Sequence, residues 1–270
     1  MDAQRLKRIA YQRRLEILDM VHRTGSGHIG GDMSCIDALV VLYYDVMDTA
    51  KMLAKAPDAD HFILSKGHCA EALYTVLADR GFFPKSELNT YAAFGTKLAE
   101  HPTHGLAGVD IATGSLGHGL SVGAGMALAG RSQKGHIFVL MGDGEQAEGS
   151  IWEAVMFAAK YRLENLTAII DRNHLQISGG TEEVMPLGEL DQRYAAFGWH
   201  TVVCDGHDYD AIRSALLTHE AGKPVAVILN TIKGKGSPIM ENQADWHHRI
   251  PNDEQYARIQ ADLKRILEEL

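Results

Sequence analysis

The sequence has little of the material from which disulfide-rich, membrane-spanning or nucleic-acid-binding proteins are built. Only three of its 270 residues are cysteines. Cys35, Cys69 and Cys204 are odd in number and widely spaced, which fits buried reduced thiols better than a disulfide framework or a zinc site. The unbroken apolar runs are too short to cross a bilayer. Lys and Arg total 26 against 35 Asp and Glu, a formal net charge of -9 without a basic stripe. We therefore expect neither a membrane nor a nucleic acid as a partner.

What is present is typical of a globular cytoplasmic protein. The apolar fraction is 46% and the charged fraction 23%, and 270 residues suffice for one large α/β domain with a full hydrophobic core. The N-terminal stretch MDAQRLKRIAYQRRLEIL has the pattern of a charged amphipathic helix and lacks the apolar segment of a signal peptide. No repeat, low-complexity tract or flexible linker interrupts the chain, so we predict a single domain over residues 1–270.

Strand patterns alternate with helix patterns, which predicts an α/β fold with a doubly wound, mainly parallel sheet flanked by helices. Buried strands are predicted at residues 61–65, 136–142, 166–172, 200–206 and 224–232. Helices are predicted at 3–22, 34 onward, 69–81, 86 onward, 120–130, 151–161, 188–197, 208–220 and over the final stretch. The segment TGSGHIGG at 24–31 is predicted as a loop, with Ser34 capping the next helix and Asp37 as its capping-box partner.

Polar residues follow two consecutive predicted strands. Gly142, Asp143 and Gly144 end one strand, and Asn173 lies just beyond the next. Ligands of open α/β sheets bind beyond the carboxyl ends of the strands, where the glycines would allow a sharp turn and a close approach to a ligand. A carboxylate and an amide oxygen suit Mg²⁺ or Ca²⁺, and diphosphate oxygens would complete the coordination. A plain tight turn is the alternative for the glycine motif alone, but Asn173 at the matching position argues against it.

The segment GDGEQAEGSIWEAVMFAAKYRLENLTAIIDRN resembles the thiamine-diphosphate motif, and its EQAEG continuation resembles transketolases in particular. The resemblance implies that Asp143 and Asn173 ligate a metal ion, with the main-chain oxygen of Leu175 as a third ligand. It also implies that Gly142 and Gly144 contact thiamine diphosphate. Glu148 matches a glutamate at the family's subunit contact beside the cofactor, although an acid at a helix N-terminus is also favoured by the helix dipole.

Further segments resemble transketolases in family order through essentially the whole chain, and they contain several of the 14 histidines. They are SGH, LSKGH, EHP, TGSLGHG and KGKGSPIMENQADWHH. The resemblance implies catalytic contacts to sugar hydroxyls and the reacting carbonyl for His28, His101 and His247. It places Lys66 and His68 near the cofactor diphosphate or the donor sugar, with His68 also counted among the catalytic histidines. The backbone of Gly114, Ser115 and Leu116 would contact the cofactor.

Four further positions are less sharply assigned. Lys233 adds charge near the diphosphate or is a solvated loop lysine. His104, His118 and His248 neighbour the implied site residues, and we expect them to lie outside direct contact with the sugar. Ile29, where the family often has Pro, and His118, where it often has Gln, depart from the pattern and leave the shape of the substrate channel open.

The implied activity is transfer of a two-carbon ketol unit from a ketose phosphate to an aldose phosphate, with thiamine diphosphate and Mg²⁺ (or Ca²⁺) as cofactors. Every substrate carbon carries a hydroxyl or carbonyl group, so neutral imidazoles can serve as both donors and acceptors. Transketolases of the usual kind carry two further domains, one of which binds the aminopyrimidine ring and supplies the glutamate that activates it. We find no second α/β unit here and expect a second subunit, in an α₂β₂ heterotetramer.

Three alternatives remain at the level of sequence. A specialised catabolic transketolase acting on an unusual sugar phosphate is as compatible with these motifs as a pentose-phosphate enzyme. A catalytically silent module that binds thiamine diphosphate is the second alternative, and the histidine set argues against it. An NAD-dependent Rossmann enzyme is disfavoured, because no G-x-G-x-x-G motif joins an early strand to a helix with an acid about 20 residues on.

Overall fold

The computed structural model describes residues 1–270 and contains seven strands. They are β1 (His61–Leu64), β2 (Ile137–Gly142), β3 (Leu166–Arg172), β4 (Leu175–Gln176), β5 (Gly179–Gly180), β6 (His200–Asp205) and β7 (Val225–Asn230). Five of them pair in parallel in the order β1-β2-β3-β7-β6, whereas β4 and β5 form a separate antiparallel hairpin. The predicted parallel α/β sheet is confirmed, and all five predicted strands belong to it.

Ten α-helices accompany the strands. They are α1 (Ala3–Thr24), α2 (Ile29–Val41), α3 (Thr49–Leu53), α4 (Ala70–Asp79), α5 (His118–Ala129), α6 (Gly149–Lys160), α7 (Thr181–Val184), α8 (Leu190–Ala196), α9 (Tyr209–Leu216) and α10 (Asp253–Glu269). Short 3₁₀ or π segments cover Leu42–Val46, Gly67–Cys69, Lys85–Thr90, Gly144–Ala147 and Ala244–His247. No helix is both long and apolar enough to cross a membrane.

Two hydrophobic cores lie on opposite faces of the sheet. One joins the sheet to α1, α2, α4, α9 and α10, and the other joins it to α5, α6 and α8. Neighbouring residues of one strand enter different cores: Phe62 and Leu64 face the first, and Ile63 faces the second. This alternation on a sheet covered on both sides explains why the strands have continuous apolar sequences rather than a polar face.

Local signals account for several helix ends. The Asp2 side chain caps α1 by accepting the N–H of Arg5, and Gly25 ends that helix in the left-handed region at φ 67°. Asn252 and Gln255 form a reciprocal capping box at the start of α10. The helix predicted at 151–161 begins two residues earlier, at Gly149.

The prediction for the second helix is wrong. Helix α2 begins at Ile29, so Ser34 lies inside it rather than at its N-cap, and the end of the predicted 24–31 loop is its first turn. Two glycines are tolerated there because neighbouring chain segments take the space of a side chain. A Cβ on Gly30 would lie 2.5 Å from the main-chain oxygen of Trp246, and one on Gly31 would lie 2.7 Å from Cys69 Sγ. Close packing, and not loop formation, accounts for these glycines.

All three cysteines are free thiols. Cys35 and Cys69 are buried and Cys204 is partly buried, in agreement with the expectation of reduced thiols. Burial raises the pKa of the Cys69 thiol well above its usual range, which keeps it protonated and unreactive.

Candidate active site

The implied site residues converge at the carboxyl edge of the sheet. The segments that follow β1, β2, β3 and β7 meet there, joined by the turn before α2 and by the 99–117 loop. In the register of β2 and β3, Gly142 pairs with Asp171, so Asp143 and Asn173 leave adjacent strands at neighbouring positions. The structure thus brings together residues separated by up to about 220 positions in the sequence.

Asp143 is held by three hydrogen bonds. Its Oδ1 accepts the N–H of Gly144 at 2.8 Å, and its Oδ2 accepts the N–H of His174 at 2.7 Å and the Thr181 hydroxyl at 3.0 Å. The residue is 3% exposed. Burial raises the pKa of Asp143, and the negative charge of Asp171 adds to the shift. No basic side chain pairs with this carboxylate, which leaves it suited to a cation ligand.

The side chain of Asn173 is oriented by a hydrogen bond from the backbone two residues later. Its Oδ1 accepts the N–H of Leu175 at 3.1 Å, across His174, which has a left-handed φ of 63°. Its Nδ2 donates to Ser34 Oγ at 3.3 Å and to Asp171 at 3.4 Å. Asp143 therefore lies beside the 173–175 turn, whose residues add an amide oxygen and a main-chain oxygen to its carboxylate. This donor set fits a hard divalent cation such as Mg²⁺ or Ca²⁺.

A buried ion pair supports this oxygen set, and sequence reasoning missed its acidic member. Lys66 Nζ contacts Asp171 Oδ2, and the two side chains are 2% and 1% exposed. Asp171 also accepts the hydroxyls of Ser34, at 2.6 Å, and Thr231. Burial works against the charged form of Lys66, but Asp171 raises the Lys66 pKa well above its usual range. Asp171 fell within the predicted strand 166–172, where only its polarity in an apolar segment could have marked it.

Lys233 is 2% exposed, which excludes the solvated-lysine interpretation. Its Nζ donates to the main-chain oxygen of Leu175 at 3.2 Å and lies 2.8 Å from Nδ1 of His247. Burial and the nearby charge of Lys66 lower the pKa of Lys233 to about 8. Lys233 thereby connects the predicted metal ligand Leu175 to the histidines described next.

Five histidine rings form a cluster with His28 at its centre. The centroids of the other four lie 5.4 Å from it for His68, 5.8 Å for His101, 5.6 Å for His247 and 4.5 Å for His248. The His68 and His247 centroids are 5.2 Å apart. The four histidines predicted as catalytic are therefore brought together, and His248, predicted to lie outside direct contact with the sugar, sits against the central ring.

The three innermost histidines are neutral at physiological pH. Burial, with the neighbouring His248 and His101 rings, lowers the pKa of His28 to about 4. Burial, with the charge of Lys233, lowers the pKa of His247 to about 3. Burial and Lys66 place the pKa of His68 well below its usual range. Neutral imidazole both donates and accepts hydrogen bonds, which suits recognition of polyhydroxylated sugars.

The 113–116 segment passes directly over the loop that carries Lys66 and His68. A Cβ on Gly67 would lie 2.5 Å from Thr113 Oγ1, and one on Gly114 would lie 3.2 Å from the His101 ring. Gly114 has a φ of 142°. Gly114 and Ser115 are exposed or partly exposed and Leu116 is partly buried, so this backbone lines the open side of the site.

The residues of the 142–148 segment have distinct surroundings. Gly142 has open space where a Cβ would be, whereas a Cβ on Gly144 would lie 2.5 Å from the Gln176 side chain. Glu145 is 2% exposed and accepts the N–H groups of Gly142, at 3.0 Å, and Gly117, at 2.8 Å. Sequence reasoning did not single out Glu145. Glu148 is exposed at the start of α6 and makes no capping hydrogen bond.

The remaining histidines differ in position. His104 is exposed in the 99–117 loop, and His118 is exposed at the first turn of α5. Glu100, which sequence reasoning missed, has ligand atoms within 4.8 Å of those of His28 and His248, and it accepts the Ser26 hydroxyl. Glu100 and His248 therefore form the outer rim of the histidine cluster.

Comparison with known proteins gives the family. Residues 5–263 match the family described as transketolase, thiamine diphosphate binding domain. The chain is 44% identical over 276 aligned residues to an apulose-4-phosphate transketolase subunit of Phocaeicola vulgatus, covering 100% of this chain and 98% of that protein. It is 41% identical to the 6-deoxy-6-sulfo-D-fructose transketolase subunit SqwG of a Clostridium species, covering 92% of each.

Solved transketolases share the fold. The Campylobacter jejuni enzyme superposes with a TM-score of 0.89 at 28% identity, and the Leishmania mexicana enzyme with 0.86 at 26%. Each match covers 98% of this chain but only 43% and 44% of those longer chains. The chain therefore belongs to the transketolase family, in which it corresponds to the thiamine-diphosphate-binding domain.

Proposed function

We propose that this chain is the thiamine-diphosphate-binding subunit of a two-subunit transketolase, which transfers a two-carbon ketol unit from a ketose to an aldose. The observation that carries the proposal is the cluster of neutral histidines directly beside a buried set of oxygen ligands. One group suits a sugar and the other suits a metal-bound diphosphate. A silent binding module would have no use for the first group.

Thiamine diphosphate, when bound, supplies the electron sink that allows the carbon–carbon bond beside a ketose carbonyl to break. Asp143, Asn173 and the carbonyl of Leu175 would hold Mg²⁺ (or Ca²⁺) against the diphosphate. Lys66, Lys233 and His68 would line the same region, with Gly142 and Gly144 at the end of β2. The exposed backbone of 114–116 would contact the cofactor from the open side.

The histidines act on the sugar. His28, His101 and His247 would hydrogen-bond to sugar hydroxyls, and the neutral rings of His28 and His247 can hold or move a proton at the reacting carbonyl oxygen. Because the rings converge, several donors could contact one ketose at once.

A second subunit would complete the site. Support comes from the end-to-end match to a protein named as one subunit of a transketolase, together with coverage of less than half of the solved transketolases. Exposed apolar side chains offer contact area: Val122 on α5, Met156 and Phe157 on α6, and Tyr161 just after α6. Glu148 lies exposed near the start of α6 and would face the partner. An α₂β₂ heterotetramer is the simplest closed arrangement.

The substrate we propose is a ketose with a terminal anionic group. The two similar subunits are named for apulose-4-phosphate and 6-deoxy-6-sulfo-D-fructose, one a phosphate and the other a sulfonate. Both names favour the specialised catabolic enzyme over a pentose-phosphate one. A location in the cytoplasm and a single domain over residues 1–270 stay predictions.

The test is a ketol-transfer assay of the chain alone, and of the chain with a partner that carries a pyrimidine-binding domain. Both mixtures contain Mg²⁺ and thiamine diphosphate, and donors include apulose-4-phosphate, 6-deoxy-6-sulfo-D-fructose and a pentulose phosphate. We expect activity only in the complete mixture. Full activity of the chain alone would refute the two-subunit proposal, and no transfer in the complete mixture with any of these donors would refute the transketolase proposal.

A further inference from the structure

The turn that presents His28 rests on a buried carboxyl group. Glu71, in the first turn of α4, is 0% exposed, and its Oε1 accepts the main-chain N–H of His28 at 3.2 Å. The same oxygen accepts the Tyr91 hydroxyl. A Cβ on Gly27, whose φ is 138°, would collide with this oxygen, so the turn closes on Glu71 without intervening space.

A second buried carboxyl group faces Glu71 from α2. Asp32 is 0% exposed, its Oδ1 accepts the N–H of Ala72 at 2.9 Å, and its side chain lies in hydrogen-bonding contact with that of Glu71. Each carboxyl leaves one buried oxygen without a donor, Oδ2 of Asp32 and Oε2 of Glu71. A single proton between the two carboxyls satisfies both oxygens, whereas two carboxylates would leave both unsatisfied and repel each other.

We propose that Asp32 and Glu71 share a proton and that this carboxyl pair is a positioning device for His28. The pair joins the first turn of α2 to the first turn of α4, and the His28 backbone is fixed to it by a hydrogen bond. His28 is the central ring of the histidine cluster, so a shift of its turn would misalign the sugar-binding surface. This inference rests on the proposed sugar-binding role of His28.

The surroundings favour the shared proton. The groups that face the pair are the hydroxyls of Tyr91 and Tyr74 and the Cys69 thiol, with Glu100 beyond Tyr91. No basic side chain forms an ion pair with either carboxyl. Two unpaired negative charges in such a site are costly, so the doubly charged form strains the contact between α2 and α4.

The pair should respond to pH. Burial raises the pKa of Glu71 to about 7, and burial with the charge of Glu71 raises the pKa of Asp32 well above its usual range. The unfolded chain releases these protons near pH 4. The resulting contribution to stability is complete below about pH 4 and is lost as the pH rises through about 7. Glu71 is the group that loses its proton near pH 7, while Asp32 keeps the proton that it donates to Glu71. Glu71→Gln removes the titrating carboxyl and should remove this dependence.

The first experiment reads His28 directly in the isolated chain. Histidine ring carbons are labelled, the His28 signal is assigned with a His28→Gln variant, and NMR spectra are recorded from pH 5 to 9. We expect a shift of the His28 signal with a midpoint near pH 7, although its own pKa is about 4. The shift should vanish in Glu71→Gln and persist in the control Asp262→Asn, a buried carboxyl on α10 that pairs with Ser237.

Thermal unfolding of the same proteins gives a second measurement. Between pH 5 and pH 8 the wild type should lose about 2–4 °C more in Tm than Glu71→Gln. A shift of the His28 signal that persists in Glu71→Gln, or an equal loss of Tm in wild type and Glu71→Gln, would overturn the proposal. If Glu71→Gln fails to fold, Asp32→Ala replaces it: the variant deletes the proton donor to Glu71 and should move the midpoint of the His28 shift, and an unmoved midpoint would overturn the proposal.

A third measurement separates positioning from stability in the assembled enzyme. Glu71→Ala deletes the acceptor for His28 and should raise KM for the donor sugar about tenfold, whereas Glu71→Gln keeps an acceptor oxygen and should restore KM. Unchanged KM in Glu71→Ala would overturn the positioning role. If the assembled enzyme transfers no ketol unit at all, the proposed function fails, but the NMR titration still decides whether the pair positions His28.

Discussion

The two halves of the site are built differently. The anchoring half, formed by Lys66, Asp143, Asp171 and Asn173, is almost fully buried, and hydrogen bonds or an ion pair hold each of its side chains. The histidine half, formed by His28, His68, His101, His247 and His248, is partly exposed, and its rings mainly contact one another. Nδ1 of His28 has no hydrogen-bond partner.

The difference indicates that the two halves of the site have different functions. Charges in the anchoring half are balanced within the fold except at Asp143, whose carboxylate lacks a basic partner. The histidine half instead keeps donors and acceptors free for the hydroxyl and carbonyl groups of a sugar. Changes in the anchoring half should therefore affect stability and cofactor binding, and changes in the histidine half should affect sugar turnover.

Breaking the buried ion pair should have the largest effect. Lys66→Met leaves the Asp171 carboxylate buried without a cation, which should lower the free energy of unfolding by about 3–5 kcal/mol. Urea denaturation followed by circular dichroism measures the change. Lys51→Met, which breaks an exposed pair with Asp58, is the control and should have a much smaller effect, because water screens an exposed ion pair. Equal effects of the two variants would contradict the view that the anchoring half stabilises the fold.

Asp143→Ala should remove Mg²⁺-dependent cofactor binding. The variant deletes the carboxylate ligand, and we expect the affinity of the assembled enzyme for thiamine diphosphate to fall by at least about 100-fold, or about 2.7 kcal/mol. Isothermal titration with and without Mg²⁺ measures it. Unchanged cofactor affinity would show that Asp143 does not ligate the metal ion.

His28→Ala, His101→Ala and His247→Ala should each lower turnover or sugar affinity by about 10- to 100-fold while cofactor affinity falls less. We expect a larger effect on the sugar than on the cofactor because these residues belong to the histidine half, whose buried rings are neutral. Steady-state kinetics with the donor sugar, alongside cofactor titration, separates the effects. His104→Ala, at an exposed loop position, is the control. Loss of cofactor binding with normal sugar kinetics in all three would reverse the assignment of the two halves.

The smallest expected effect is a change in the free energy of unfolding at low pH. The pKa of His247 is lowered to about 3 in the folded protein. The unfolded chain therefore binds a proton at this residue near pH 6.5, whereas the folded chain does not. The stability associated with neutral His247 is full above about pH 6.5 and is lost as the pH falls toward 3. His247→Asn should lose about 1–2 kcal/mol less than the wild type between pH 7 and 4.5, after allowance for solvent screening. Parallel denaturation curves for the two proteins would contradict it.

The sequence predicted the five sheet strands and the meeting of Asp143 with Asn173, because apolar strand patterns and residues at adjacent strand ends are local signals. It mispredicted the start of α2, where Gly30 and Gly31 have the pattern of loop formers. Their actual role depends on Trp246 and Cys69, which no local pattern reveals.

Partners of site residues were missed for a related reason. Asp171 pairs with Lys66 across 105 positions, and Glu71 supports the His28 turn across 43. Such partners come from tertiary packing, and each was hidden within an otherwise apolar strand or helix. The hairpin of β4 and β5 was also missed, since two-residue strands leave almost no periodic signal.

The close contact between Gly30 and Trp246 has a consequence for biosynthesis. The two residues are separated by more than 200 positions, so the first turn of α2 leaves the ribosome long before the segment that covers it. At about 5–20 residues per second, the wait is on the order of 10–40 s. During that time α2 can pack only against earlier elements such as α1 and α4. The histidine cluster, which includes His247 and His248, is thus completed only after almost the whole chain has been translated.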